Sequence, residues 1–198
     1  MIVSESSARR YELDPDVRLM LEVRDDNAAA FEELVARYQG RLVAVLKHLV
    51  GNREQAEDLA QEVFLRVYRS RATYEPTAKF TTWLFRIATH LALNAIRDTK
   101  NEKGQGSLDE ENENATSIQV ADRQPTVEQN LVFRVKLDEV RRAVQGLPEK
   151  QRAAVLMHKY EEMEYAQIAK VLSCSESAVK SLLFRAYETL RARLAHMA

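Results

Sequence analysis

The sequence predicts an all-α protein, built as two small helical domains joined by a flexible linker. Three observations carry this. Glycine and proline number only 5 and 4 in 198 residues, and the strict apolar–polar alternation of strands is almost absent. Apolar residues instead recur at spacings of three and four over most of the chain. One stretch breaks the pattern: residues 99–126, TKNEKGQGSLDEENENATSIQVADRQPT, are rich in Asn, Glu and Ser and poor in large apolar groups.

The elements follow in order. Asp14-Pro15 has the form of an N-cap with proline at the first helical position, and that short helix should end near Asp25-Asp26-Asn27. The next helix places Phe31, Leu34, Val35, Tyr38, Leu42, Val45, Leu46 and Leu49 on one face. Gly51 should end it in a left-handed conformation. A third helix, about Arg53 to Arg69, is expected to bury Ala56, Leu59, Ala60, Val63, Phe64, Val67 and Tyr68. After a turn at Tyr74-Glu75-Pro76, a fourth helix over roughly Phe80–Asp98 turns Trp83, Leu84, Ile87, Ala88, Leu91 and Ala95 inward. These four make the first domain, residues 12–98. The linker, 99–126, would span about 30 Å as a random coil and about 95 Å fully extended. One turn of DNA is about 34–36 Å, so domains tied this way can touch sites more than a turn apart.

The second domain, 127–198, begins with a helix carrying Phe133, Leu137, Val140 and Val144 and ending near Gly146. Leu147-Pro148 opens the next helix, with Val155, Leu156 and Tyr160. Two further helical patterns then meet across Ser173-Cys174-Ser175, a break short enough for a helix–turn–helix. The first carries Tyr165, Ile168, Ala169 and Leu172, the second Val179, Leu183, Ala186 and Leu190. Ser175 is placed to cap the second helix, and Glu176 suits the positive end of its dipole. Its polar face offers Ser177, Lys180, Ser181 and Arg185, groups that reach base edges and phosphates from a major groove.

Composition narrows the function classes. The formal net charge is −1, so no global basic signature marks a nucleic-acid binder. Residues 128–198 nevertheless hold 12 basic and 9 acidic groups. The lone Cys174 excludes an internal disulfide and reads as a half-buried turn residue in a reducing compartment. The N-terminus lacks the apolar core of a signal peptide, and no apolar run approaches membrane-spanning length. A soluble, cytoplasmic protein without membrane insertion is expected. His48, His90, His158 and His196 stand alone, without metal-ligand spacing, and no glycine-rich phosphate loop occurs. No cofactor, metal or catalytic residue is expected, and an enzyme is the weaker class. Paired carboxylates such as Asp58 and Glu62 ordinarily form a solvated helix face.

Two more surfaces stand out. Lys79–Arg97, KFTTWLFRIATHLALNAIR, has three basic residues and no acidic one, with Phe80, Trp83 and Phe85 interleaved. Rings beside cations suit unpaired bases. Lys79 and Phe80, at the helix start, are expected to be exposed. On the third helix, at 100° per residue, Leu65 points almost opposite the apolar stripe, ringed by Asp58, Gln61, Glu62 and Arg69. An apolar anchor inside a polar rim has the anatomy of an interface.

With these residues in place, the chain resembles the extracytoplasmic-function sigma factors, the small two-domain class of bacterial RNA polymerase specificity subunits. Four blocks match in order: Ala29, Phe31, Leu34 and Tyr38; EQAEDLAQEVFLRVY, Glu54–Tyr68; KFTTWLFRIATHLALNAIR; and Leu147–Ala186. The resemblance implies a transcription initiation factor that binds core RNA polymerase and carries it to specific promoters. Its partners would be the clamp of the largest subunit, the flap of the second-largest subunit, promoter DNA and, as a further candidate, an anti-sigma factor. Asp58, Gln61, Glu62 and Leu65 would dock on the clamp. Lys79, Phe80, Thr81, Trp83, Arg86, Asn94 and Arg97 would recognise and open the downstream promoter element. Arg152, Ser177, Lys180, Ser181 and Arg185 would contact the upstream element.

Ser173 departs from the pattern, standing where the family usually has glycine. Leu182 stands where a basic residue is common, and Asp98–Glu102 is mixed where the family continues basic. The rival is a helix–turn–helix transcriptional regulator whose N-terminal domain senses a ligand or dimerises, and the N-terminal blocks argue against it.

Overall fold

The structure, a computed structural model, describes residue 11, residues 13–103 and residues 127–197. Every regular element among them is helical: α1 (Pro15–Arg24), α2 (Ala28–Val50), α3 (Arg53–Arg69), a 3-10 turn (Arg71–Thr73), α4 (Phe80–Lys103), α5 (Val127–Gln145), α6 (Glu149–Lys159), α7 (Tyr165–Leu172), α8 (Glu176–Arg193) and a final 3-10 turn, Ala195–Met197.

The helix starts are set by short polar side chains that accept from otherwise orphaned N–H groups. Asp14 accepts from the Asp16 amide at 2.9 Å, Asn27 from Ala29 and Ala30 at 3.1 and 3.3 Å, and Asn52 from Gln55 at 2.9 Å. Gly51 ends α2 at φ 84°, the left-handed region that glycine enters without a Cβ clash. α4 runs on to Lys103, five residues past the end read from the sequence. No Gly or Pro intervenes before Gly104, and the Thr99 hydroxyl bonds back to the Ala95 carbonyl at 2.9 Å. The rest of the expected linker, 104–126, including Asp109-Glu110-Glu111, lies outside the described residues. So does the side chain of Phe133.

α1–α4 enclose one core. Leu34, Tyr38, Leu42, Leu46 and Leu49 of α2 are buried with Ala56, Val63 and Val67 of α3 and Phe80, Leu84 and Ala88 of α4. Tyr38 is fastened at both ends: its ring lies 5.3 Å from that of Phe80, and its hydroxyl donates to Asp16 of α1. In the second half, α6, α7 and α8 bury Ala153, Leu156, Met157, Ile168, Val171, Val179, Leu183 and Ala186. The Tyr187 hydroxyl and His158 Nδ1, 3.2 Å apart, tie α8 to α6.

The two halves touch. α4 packs on α7, α2 packs on α6, and the buried residues of both halves form one continuous cluster. Several expectations from periodicity give way. Phe80 is fully buried, because Tyr38 and Trp83 close over it. Tyr68 is 42 % exposed, on a flank of α3 that α4 does not cover. Tyr160 is 52 % exposed against His48 of α2, and Val140 is exposed while Ala143, a turn further on near the end of α5, is buried. Phe85, off the expected inward stripe, is wholly buried.

Candidate nucleic-acid and polymerase interfaces

The helix–turn–helix comes first. α7 ends at Ser173, whose φ of 52° and ψ of 49° are left-handed, and the Cys174 amide closes the turn on the Ala169 carbonyl at 3.0 Å. A residue with a Cβ pays roughly 1–2 kcal/mol for that conformation. Ser175 then caps α8, accepting from the Ala178 amide at 3.2 Å. With Val179, Leu183 and Ala186 buried, the opposite face presents Ser177, Lys180, Ser181 and Arg185, all exposed. Lys180 and Arg185 have no ion-pair partner among the described residues. The Ser181 hydroxyl donates to the Ser177 carbonyl at 3.0 Å, and the Ser175 and Ser177 hydroxyls lie 2.9 Å apart, so these side chains are oriented beforehand.

At the centre of this face stands Phe184, 68 % exposed. Sequence reasoning passed over it. The signal was available: Phe184 is four residues from Lys180 and seven from Ser177, on the polar side of the helix. Leu182 is half-buried against the core, so packing accounts for an apolar group there.

Arg152 sits elsewhere than expected. Its guanidinium is half-buried and donates to the Gln145 carbonyl at 2.9 Å, while Arg193 donates to the Ala143 carbonyl at 3.1 Å. The two arginines satisfy the C-terminal carbonyls of α5. Burial pulls the Arg152 guanidinium below its ordinary value, with Glu149 acting against that. Arg152 is therefore withdrawn from the exposed set in this conformation.

On α4, Arg86, Asn94 and Arg97 are exposed, and His90 falls between them in one line along the helix at spacings of four, four and three. The sequence reading omitted His90. Burial, then the nearby Arg86, holds its imidazole below the ordinary value and so favours the neutral ring. The Arg97 guanidinium donates to Asn94 Oδ1 at 3.2 Å. Lys79 is exposed, Thr81 and Trp83 are half-buried, and Phe80 is enclosed. The Trp83 ring, 4.9 Å from that of Tyr74, lines a cleft of about 470 Å³ with Arg86 of α4, Lys170 of α7 and Ser173 just beyond it.

The α3 surface is broader than a lone leucine. Leu65 is 49 % exposed and edges a groove of about 630 Å³ between α2 and α3, lined also by Phe31, Val35, Val43, Phe64 and Tyr68. Gln61 lines the same groove, whereas Asp58 and Glu62 lie on the far side of Leu65, Glu62 paired with Arg66 at 2.7 Å. Tyr68, expected in the core, walls this groove, its ring 5.1 Å from Phe31 and beneath the Arg71 guanidinium at 4.2 Å. Among the described residues no cluster of three or more His, Cys, Asp and Glu could hold a metal ion, and no helix is long and apolar enough to cross a membrane.

The chain is thus a four-helix unit with a cationic helix face, packed against a helix–turn–helix unit. Sequence comparison agrees. Residues 34–102 match the family model for sigma-70 region 2, and residues 137–190 the model for sigma-70 region 4. The chain is 34% identical over 174 residues to the RNA polymerase sigma factor CarQ of Myxococcus xanthus, covering 88% of this chain and 94% of that one. It is 28% identical over 178 residues to the RNA polymerase sigma-H factor of Pseudomonas aeruginosa, covering 89% and 92%. To the extracytoplasmic-function sigma factor SigW of Bacillus subtilis it is 27% identical over 174 residues, covering 87% and 93%. The fold matches CnrH, solved in complex with the cytosolic domain of CnrY, at a TM-score of 0.68 and 21% identity over 92% of this chain and 99% of that one. The sigma factor RpoE of Bartonella quintana, solved with the anti-sigma factor NepR, gives 0.65 at 21% over 83% and 96%. The chain belongs to the extracytoplasmic-function RNA polymerase sigma factors. It is a transcription initiation factor that binds core polymerase and directs it to promoters.

Proposed function

We propose a division of labour among three surfaces. The groove edge on α3, with Gln61 and Leu65 and the flanking Asp58 and Glu62, docks on the clamp of the polymerase largest subunit. The Lys79, Thr81, Trp83, Arg86, Asn94 and Arg97 face of α4 engages and opens the downstream promoter element. Ser177, Lys180, Ser181 and Arg185 on α8 enter the major groove of the upstream element, while the domain that carries them meets the flap of the second-largest subunit. The protein performs no catalysis of its own. An anti-sigma factor that covers these surfaces is a further partner, in line with the complexes in which CnrH and RpoE were solved.

The observation that carries the polymerase assignment is Leu65: an apolar side chain half-exposed at the edge of an apolar groove, beside Asp58 and Gln61, which are open to solvent. An anchor within a polar rim is how interface cores are built. Leu65→Ala combined with Glu62→Lys should abolish binding to core polymerase while leaving helicity and the thermal transition nearly unchanged. A stable double variant that binds core polymerase with native affinity places the docking surface elsewhere.

A further inference from the structure

A second cleft lies toward the end of α4, beyond the one that Trp83 lines. It measures about 550 Å³, within the roughly 300–1,000 Å³ of small-molecule sites. Its lining changes character along α4. Leu93 and Ile96, with Leu172 of α7, form an apolar wall. Beyond them Arg97 and Lys100 stand with Lys150 of α6. From His90 to Lys100 the helix rises about 15 Å. A ligand lying along it therefore meets an apolar stretch first and a cationic one second.

The charge in the cleft is unbalanced. Arg97, Lys100 and Lys150 face a single acid, Glu149, in a chain whose net charge is −1. Glu149 is already taken by Lys100, whose hydrogen bond holds its carboxyl below the ordinary value. Lys150 has no ion-pair partner among the described residues. Arg97 is held by exposed contacts, to Asn94 at 3.2 Å and to Asp98 at 3.7 Å, and exposed pairs are weak. Cations gathered in a concave site repel one another, and an anion relieves that repulsion. Uncharged recognition groups stand beside them. Asn94 accepts from Arg97 through Oδ1, which leaves its NH2 group without a partner among the described residues. His90 adds a flat ring next to the apolar wall, and its environment favours the neutral form.

We propose that this cleft is a nucleotide site: the apolar wall and the His90 ring take a base, Asn94 donates to it, and Arg97, Lys100 and Lys150 hold the phosphates. Separate helices supply the walls, α4 on one side and α6 with α7 on the other. That volume suits one small nucleotide and not a duplex. Asn94 and Arg97 also belong to the surface proposed above for the downstream promoter element, so a bound nucleotide competes with that DNA. The competition rests on that reading, whereas the site itself does not.

The test is isothermal titration calorimetry of the full chain at low salt, with ADP, GDP, adenosine and inorganic pyrophosphate as probes. ADP or GDP should bind saturably, about tenfold or more tighter than adenosine and tighter than pyrophosphate. Lys150→Ala should weaken nucleotide binding about tenfold. Lys136→Ala, which removes an exposed lysine of α5 outside the cleft, should not. Ile96→Ala should weaken nucleotide binding and leave pyrophosphate binding unchanged, with thermal unfolding followed alongside. If that variant is unstable, Lys150→Ala still decides, since its side chain is exposed. Absence of saturable binding by either nucleotide, or equal losses in Lys150→Ala and Lys136→Ala, overturns the site. Equal affinity for ADP and pyrophosphate overturns the base-binding half of the proposal and with it the nucleotide. Duplex binding is scored separately: Lys180→Ala with Arg185→Ala should lose DNA and keep nucleotide, so a failure of the promoter reading is distinguishable from a failure of the site.

Discussion

α8 and α4 are both long helices that would meet DNA, yet one is open and the other half-covered. α8 packs one side onto its own domain and leaves the other to solvent, from Ser177 to Arg185. α4 packs its Phe80, Leu84 and Ala88 side into the first domain, while the neighbouring face that carries Thr82 meets α7 of the second. The difference teaches that a helix with one partner shows its working face in its hydrophobic period, whereas a helix with two partners does not. A small polar residue such as Thr82 or Thr89 can be wholly buried without leaving an apolar mark in the sequence.

The sharpest way to break the comparison is to delete a phenylalanine from each helix. Phe85 of α4 is wholly buried, and Phe184 of α8 is 68 % exposed. Phe85→Ala should destabilise the protein by about 3–5 kcal/mol, through lost burial and the cavity left behind. Phe184→Ala should change stability by no more than about 0.5 kcal/mol and weaken binding of duplex DNA instead. Urea unfolding and a filter-binding assay, run on both variants, separate the two roles. Equal losses of stability would mean that α8 also has a second packed side.

A smaller effect is expected where α8 is simply open. Lys180→Ala and Arg185→Ala each remove one cation that has no acidic partner among the described residues. If the contact is to phosphate, the slope of log affinity against log salt should fall by about one per residue, nearly independent of sequence. If it is bidentate to guanine, discrimination at one position should fall by about 1–3 kcal/mol instead. A double variant that binds as the parent does would remove this face from the DNA interface.

These cases also mark how far the chain could be read unaided. The helices, their caps at Asp14 and Ser175 and the left-handed end at Gly51 were legible, because each is a local matter of spacing and one hydrogen bond. So was the exposed quartet on α8. Phe80, Tyr68, Tyr160 and Arg152 were not. Phe80 is buried because Tyr38, 42 residues away in sequence, lies against it, and Arg152 is drawn inward by a carbonyl at the end of α5. The apolar groove beside Leu65 needs two helices at once, so the period of α3 alone showed only its edge.

The smallest effect lies in the turn joining α7 to α8, where the chain has Ser173 and the resemblance leads one to expect glycine. The backbone adopts φ 52° there, and the Ser173 side chain has no hydrogen-bond partner among the described residues to offset the strain. Asp26 adopts a similar φ of 63°, but its carboxylate holds the Arg71 guanidinium at 3.0 Å. Ser173→Gly should relieve roughly 1–2 kcal/mol of left-handed strain. Against that stands the greater freedom that glycine gives the unfolded chain, worth about 0.4–1 kcal/mol. The net expectation is a stabilisation of about 0.5–1 kcal/mol, seen as a higher urea midpoint with an unchanged slope. Asp26→Gly should gain less or lose stability, since it also removes the Arg71 contact. If Ser173→Gly destabilises the protein, the serine supplies something to the turn beyond its backbone conformation.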